Sequence, residues 1–139
     1  MDPKRFIGRY EHALDTKGRV ILPARFRGAF DGDAYLSEYR TRCLALWTPD
    51  AFEQKLAEIE AMQDGTVEQL NQARYMASGS APVEIDKQGR LAIPQFMREY
   101  ARLDNEVLVV GAISRIELWS PAVWNEKVQP AERAFADEA

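Results

Sequence analysis

The sequence predicts an α+β fold: a pseudo-symmetric β-barrel assembled from two tandem repeats, with helices packed outside it. Three observations carry that expectation. The stretch "LDTKGRVILPARFR" at 14–27 returns as "IDKQGRLAIPQFMR" at 85–98. Each copy sits among short apolar runs divided by turn residues, as strands do. Between the copies, residues 53–80 carry helical spacing instead.

The repeat comes first because everything else follows its register. At an offset of 71 the two stretches match Asp15 to Asp86, Gly18 to Gly89, Arg19 to Arg90, Pro23 to Pro94 and Arg27 to Arg98. The apolar pairs Leu14/Ile85, Val20/Leu91 and Leu22/Ile93 fall in step with them. After one extra residue "LALWTPDAF" matches "IELWSPAVW" at an offset of 72. Two blocks agreeing in order and nearly in spacing mark a tandem duplication.

Each copy reads as the same series of elements. A strand ("YEHAL", then "PVEI") enters a turn, "DTKGR" or "DKQGR". There the glycine permits a conformation that a Cβ resists, and the aspartate can accept from nearby amides. A second strand follows, "RVIL" or "RLAI". Pro23 and Pro94 then stand where a first helical turn tolerates proline. Phe26 with Phe30, and Phe96 with Tyr100, give one or two helical turns an apolar side. Two more strands come next, "AYLSEY" with "CLALW" and "EVLVVGAI" with "RIELW". Thr48-Pro49 and Ser120-Pro121 carry the cap-then-proline signature of a new helix.

Between the copies, Phe52, Leu56 and Ile59 keep helical spacing, and Asp64-Gly65 interrupts. A second helix starts at Thr66, with Val67, Leu70 and Ala73/Arg74 along one side, and ends near Gly79. The expected organisation is a first repeat at 6–52, connecting helices at 53–80, a second repeat at 81–124 and a helical or frayed tail at 125–139. One repeat has too few strands to close a core, so the two are expected to interleave in one intertwined globular domain.

Composition narrows the function. The 46% apolar and 29% charged content is that of an ordinary globular protein. The single Cys43 lies in an apolar run and reads as a buried hydrophobe. No secretory h-region or membrane span is visible, which fits a cytoplasmic address. Net charge is −4, yet residues 1–30 hold seven cations, Lys4 and Lys17 among them, against three anions, leaving the other 109 residues at −8. A basic segment on an acidic body suits a polyanionic partner better than the net charge suggests, but on charge alone a solvated face without a partner is the better reading.

Catalysis is not expected. His12 is the only histidine, so a zinc site or a nucleophile–histidine pair has little to build on. No phosphate-cradling glycine loop is present, and no cofactor is called for. Asp15 and Asp86 each precede an arginine by four residues, so a turn contact accounts for them without a reaction.

The doubled D-x-x-x-R motif, the "GRVILPARFR" continuation, the "LWTP"/"LWSP" pair and the leading "FIG" resemble the MraZ family. That family is one of bacterial transcription regulators in the AbrB-like, swapped-hairpin superfamily, and the resemblance runs from about Phe6 to Trp124. It implies a barrel of two intertwined AbrB-like halves and a ring-shaped, octamer-like homo-oligomer. It further implies binding of double-stranded DNA at direct repeats in the promoter of the division and cell wall gene cluster, including the chain's own gene. A nucleoid-associated place in the cytoplasm goes with that, and no membrane.

By motif position the resemblance makes Arg19 the leading DNA contact, with Lys17 beside it and Arg25 and Arg27 next. Guanidinium forks suit guanine edges and phosphates, whereas Lys17 reads as a phosphate contact. Asp15, Gly18, Asp86, Gly89 and Arg90 are expected to be structural parts of the motif. The second copy has Gln88 in place of Lys17 and Phe96 in place of Arg25, so the first copy carries the DNA expectation. Arg19 paired to its own aspartate, and Arg27 capping a helix, are the plainer readings of those residues. The competing function is an antitoxin-like or scaffold module that binds protein.

Overall fold

The structure, a computed structural model, describes residues 5–62 and 64–138, so Lys4 of the basic segment lies outside the described residues. The first repeat forms β1 (Arg9–Ala13), β2 (Arg19–Ile21), α1 (Ala24–Arg27), β3 (Asp33–Tyr39) and β4 (Cys43–Trp47). The helices α2 (Pro49–Met62) and α3 (Val67–Ser78) follow. The second repeat forms β5 (Ser80–Glu84), β6 (Arg90–Ala92), α4 (Gln95–Tyr100), β7 (Glu106–Gly111) and β8 (Ile116–Trp119). The chain continues with α5 (Pro121–Lys127) and α6 (Gln129–Ala136).

Six strands make one antiparallel sheet in the order β1-β7-β8-β4-β3-β5, and β2 pairs with β6 in a separate ribbon. Exchanging each element for its repeat counterpart turns that order into its own reverse. β1 pairs with β7 as β5 pairs with β3, so each repeat lends its first strand to the other. The duplication in sequence is thus a twofold exchange in space.

The expected closed barrel is not what forms. β1 and β5 remain the two edges of an open sheet, and no ladder joins them. The reason lies in the turns. Each edge strand runs into its Asp–Gly turn, which lifts the chain off the sheet, and the strands beyond then pair with one another. The Leu22 amide donates to Gly89 O and the Ile93 amide to Gly18 O, both at 2.9 Å, so the ribbon is locked crosswise between repeats.

The ribbon and the short helices close the inner face of the sheet. Val20, Leu22, Phe26, Leu91, Ile93 and Met97 meet Leu36, Leu44, Leu46, Val107, Val109, Ile116 and Leu118, none more than 2% exposed. Burying a side chain of this size contributes about 1.5–3 kcal/mol, which makes this cluster the main stabilising element. β4 reads as an unbroken apolar run because both its faces are covered. Leu44 and Leu46 point inward, while Ala45 and Trp47 face Phe52, Ile59 and Met76 of α2 and α3. Val123 of α5 covers Leu108 and Trp119, and Cys43 is buried there as a small hydrophobe.

Helix starts follow the expected caps. Thr48 Oγ1 accepts from the Ala51 amide at 3.2 Å, and Thr66 and Gln69 form a reciprocal capping box. Some side-chain placements differ from expectation. Val67 is exposed and α3 buries Met76, with Ala73 packed beside it, because the helix rotates to meet Trp47 rather than to follow its own apolar order. Phe96 is likewise exposed, and Met97 takes the buried place that Phe26 holds in the first repeat. The tail is helical, held where Glu132 meets Arg9 at 3.0 Å and Trp124 Nε1 at 3.1 Å.

Candidate nucleic-acid interface

The D-x-x-x-R motif is a self-contained turn lock. Asp15 Oδ1 accepts the amides of Lys17 and Arg19 at 2.9 Å, and Oδ2 accepts Arg19 Nε at 2.8 Å. Asp86 repeats the pattern with Gln88 and Arg90 at 2.9 Å and Arg90 Nε at 2.7 Å. The arginine amide, reinforced by its guanidinium and by the other turn amide, holds each carboxyl below its ordinary pKa. Their capacity is spent within their own turns, which leaves little for acid–base chemistry.

Gly18 and Gly89 complete the lock, with φ of 76° and 81°. Both are buried under an arginine of the opposite repeat. A Cβ on Gly18 would lie 2.7 Å from Arg98 Cζ, and one on Gly89 would lie 2.3 Å from Arg27 Nε. Arg27 Nε donates to Leu22 O at 2.8 Å and Arg98 Nε to Ile93 O at 3.0 Å. Arg27 and Arg98 are therefore matched clasps that seat each short helix on the other repeat's turn. Sequence order groups α1, with Arg25 and Arg27, with the first turn; the fold brings that helix to the second.

Along the ribbon, Val20 and Leu91 point into the core. By strand alternation Arg19, Ile21, Arg90 and Ala92 share the outer face, with Arg19 opposite Ala92 and Ile21 opposite Arg90. The Arg19 side chain is 31% exposed and that of Arg90 is 35% exposed. Each aspartate engages Nε, and among the described residues no hydrogen bond is made by either Nη of Arg19.

The two arginines differ in one respect. Arg90 Nη2 donates to Gln88 Oε1 at 3.3 Å, whereas Lys17 stands at the equivalent place beside Arg19 and cannot accept. Lys17 and Arg25 are exposed. Lys87, in the register position of Thr16, keeps an exposed cation on the second turn, which sequence reasoning overlooked. Nothing in the sequence pairs β2 with β6, so the juxtaposition of Arg19 with Arg90 had no signal there.

His12 lies half-buried on β1, its pKa lowered by burial and then by Arg27. Among the described residues no three His, Cys, Asp or Glu side chains gather where a metal could bind. No helix among them is long and apolar enough to cross a membrane.

Duplicated units that exchange their first strands and set two arginines on a shared ribbon define a tandem-repeat α+β protein with an open, mostly antiparallel sheet. The family described as "MraZ protein, putative antitoxin-like" matches residues 6–72 and 76–139. The chain is 37% identical over 132 residues to the transcriptional regulator MraZ of Cutibacterium acnes, across 95% of this chain and 93% of that protein. This chain belongs to the MraZ family.

Proposed function

We propose that the protein is a sequence-specific, DNA-binding transcription regulator acting on direct repeats in the promoter of the division and cell wall gene cluster, its own gene included. It acts in the cytoplasm, at the nucleoid, as a ring-shaped homo-oligomer. The relative named as a transcriptional regulator supports the class. One observation carries the interface: on an exposed two-stranded ribbon, Asp15 holds Arg19 by Nε, and no other acceptor engages its guanidinium among the described residues.

A ribbon of that kind fits a major groove, and a pre-oriented guanidinium suits guanine O6 and N7. Lys17, Lys87 and Arg25 serve as phosphate contacts that position the ribbon. Arg27 supports the ribbon from behind as a clasp, and Arg90 is the secondary contact. So few cations per chain bind weakly alone. Repetition around a ring raises the affinity for repeated sites through effective concentration.

The test is a gel shift on DNA upstream of the chain's own gene at two salt concentrations. Wild-type retention should weaken steeply with salt as counterions are released. Arg19→Ala should lower it tenfold or more with oligomer size unchanged. Retention that ignores sequence, or survives Arg19→Ala, would defeat the proposal. The family description's word "antitoxin-like" favours a second reading, a protein-binding module. It predicts a stoichiometric protein partner and no preference among DNA sequences.

A further inference from the structure

An open cleft of about 480 Å³ lies between the α2–α3 pair and the β3–β4 connection, and the ribbon arginines take no part in it. Its volume is within the range of small-molecule sites, roughly 300–1,000 Å³. Tyr39, Tyr75 and Tyr100 form its apolar walls, and Arg40, Arg42 and Lys55 supply its cations. Among the described residues none of those three cations has a carboxylate within ion-pair distance. Of the two acids at the rim, Glu38 accepts the Tyr75 hydroxyl at 3.3 Å, and Glu68 sits in the first turn of α3, where the helix dipole favours it.

The backbone here gives a second, independent indication. Thr41 and Arg42 are consecutive residues at φ of 61° and 66°. A connection between strands normally assigns such conformations to Gly, Asn or Asp, so a threonine and an arginine there hold strain of the kind found at ligand clamps. The strained turn sets Arg42 over the Tyr100 ring, Cζ to centroid 4.8 Å, and leaves Arg40 and Arg42 both at the cleft. A solvated surface needs neither the strain nor three cations without carboxylate partners around an aromatic hollow.

We propose that this cleft binds an organic anion with a flat apolar body, its carboxylate or phosphate held by Arg40, Arg42 and Lys55 and its body set among the three tyrosines. Recognition needs both parts: the cations supply charge-assisted hydrogen bonds, and the rings supply apolar area. The proposal is independent of the DNA reading.

The full-length protein is titrated by fluorescence with anilinonaphthalene sulfonate, a flat aromatic anion, and with its uncharged analogue phenylnaphthylamine. The anion should bind saturably, with one site per chain, and at least tenfold more tightly than the uncharged dye. The double variant Arg40→Gln/Arg42→Gln should lose that preference, while Arg19→Ala on the ribbon keeps it. Lys55→Gln, on α2 and outside the strained turn itself, should weaken the anion several-fold with circular dichroism unchanged. No saturable binding, equal binding of the two dyes by wild type, or an anion affinity in Lys55→Gln equal to that of wild type overturns the proposal.

Discussion

The two hairpins of this chain share their hidden parts and differ in their outward ones. Asp15 and Asp86 make the same hydrogen bonds, Gly18 and Gly89 the same left-handed turn, and Arg27 and Arg98 the same clasp. Outside, Lys17 corresponds to Gln88, Arg25 to Phe96 and Ile21 to Ala92 in the register of the repeat. The shared set is what the exchange of strands needs in order to fold. The differing set is free of that duty, so specificity for a partner has room to reside there. On that view a motif arginine has two jobs: Nε closes the turn in both copies, and only the Nη edge is available for recognition.

The largest expected effect breaks the symmetry at that Nη edge. Arg19→Ala should cost roughly 1–3 kcal/mol of promoter binding for each base contact removed. Arg90→Ala should cost less, because Gln88 already occupies one of its Nη groups. Equal losses in parallel gel shifts would mean both turns read DNA alike.

Next comes the shared set. Gly89→Ala and Gly18→Ala should each destabilise the fold by about 2 kcal/mol, from positive φ and a displaced arginine. Chemical denaturation at fixed protein concentration measures this. The two costs should be alike, since the clasps are matched, and a large inequality would show that one hairpin bears more of the fold.

A smaller effect sharpens the contrast further. Gln88→Lys frees the Arg90 guanidinium and adds a cation, so it should raise promoter affinity a few-fold and steepen its salt dependence. The smallest effect is in acid. A carboxyl whose folded pKa lies below 3.8 adds stability above that pH and loses it as pH falls through the lowered value. Melting temperature followed from pH 5 downward should therefore fall more steeply in wild type than in Asp15→Asn/Asp86→Asn, with the excess loss confined to the region below about pH 4.

Much of this was legible because it is local. A glycine three residues after the aspartate of an Asp-to-Arg turn, and the Thr48-Pro49 and Ser120-Pro121 helix starts, each act within a few residues, so reading along the chain finds them. "CLALW" matched β4 residue for residue. Val67 on α3 and Phe96 on α4 are exposed although their spacing offered them as part of an apolar side, since which side of a short helix is buried depends on what packs there. Trp47 and the inner sheet made that choice for Met76 and Met97 over Val67 and Phe96.

The sequence by itself determined the duplication, the family, the turn chemistry and the order of elements, all of which rest on short-range spacing. Tertiary structure alone decided that β2 pairs with β6, that the sheet stays open at β1 and β5, and that each short helix is clasped to the opposite turn. Those contacts join residues some seventy positions apart. Their partners are selected by a common buried core, and no local pattern in the chain encodes which of two near-identical hairpins a strand will meet.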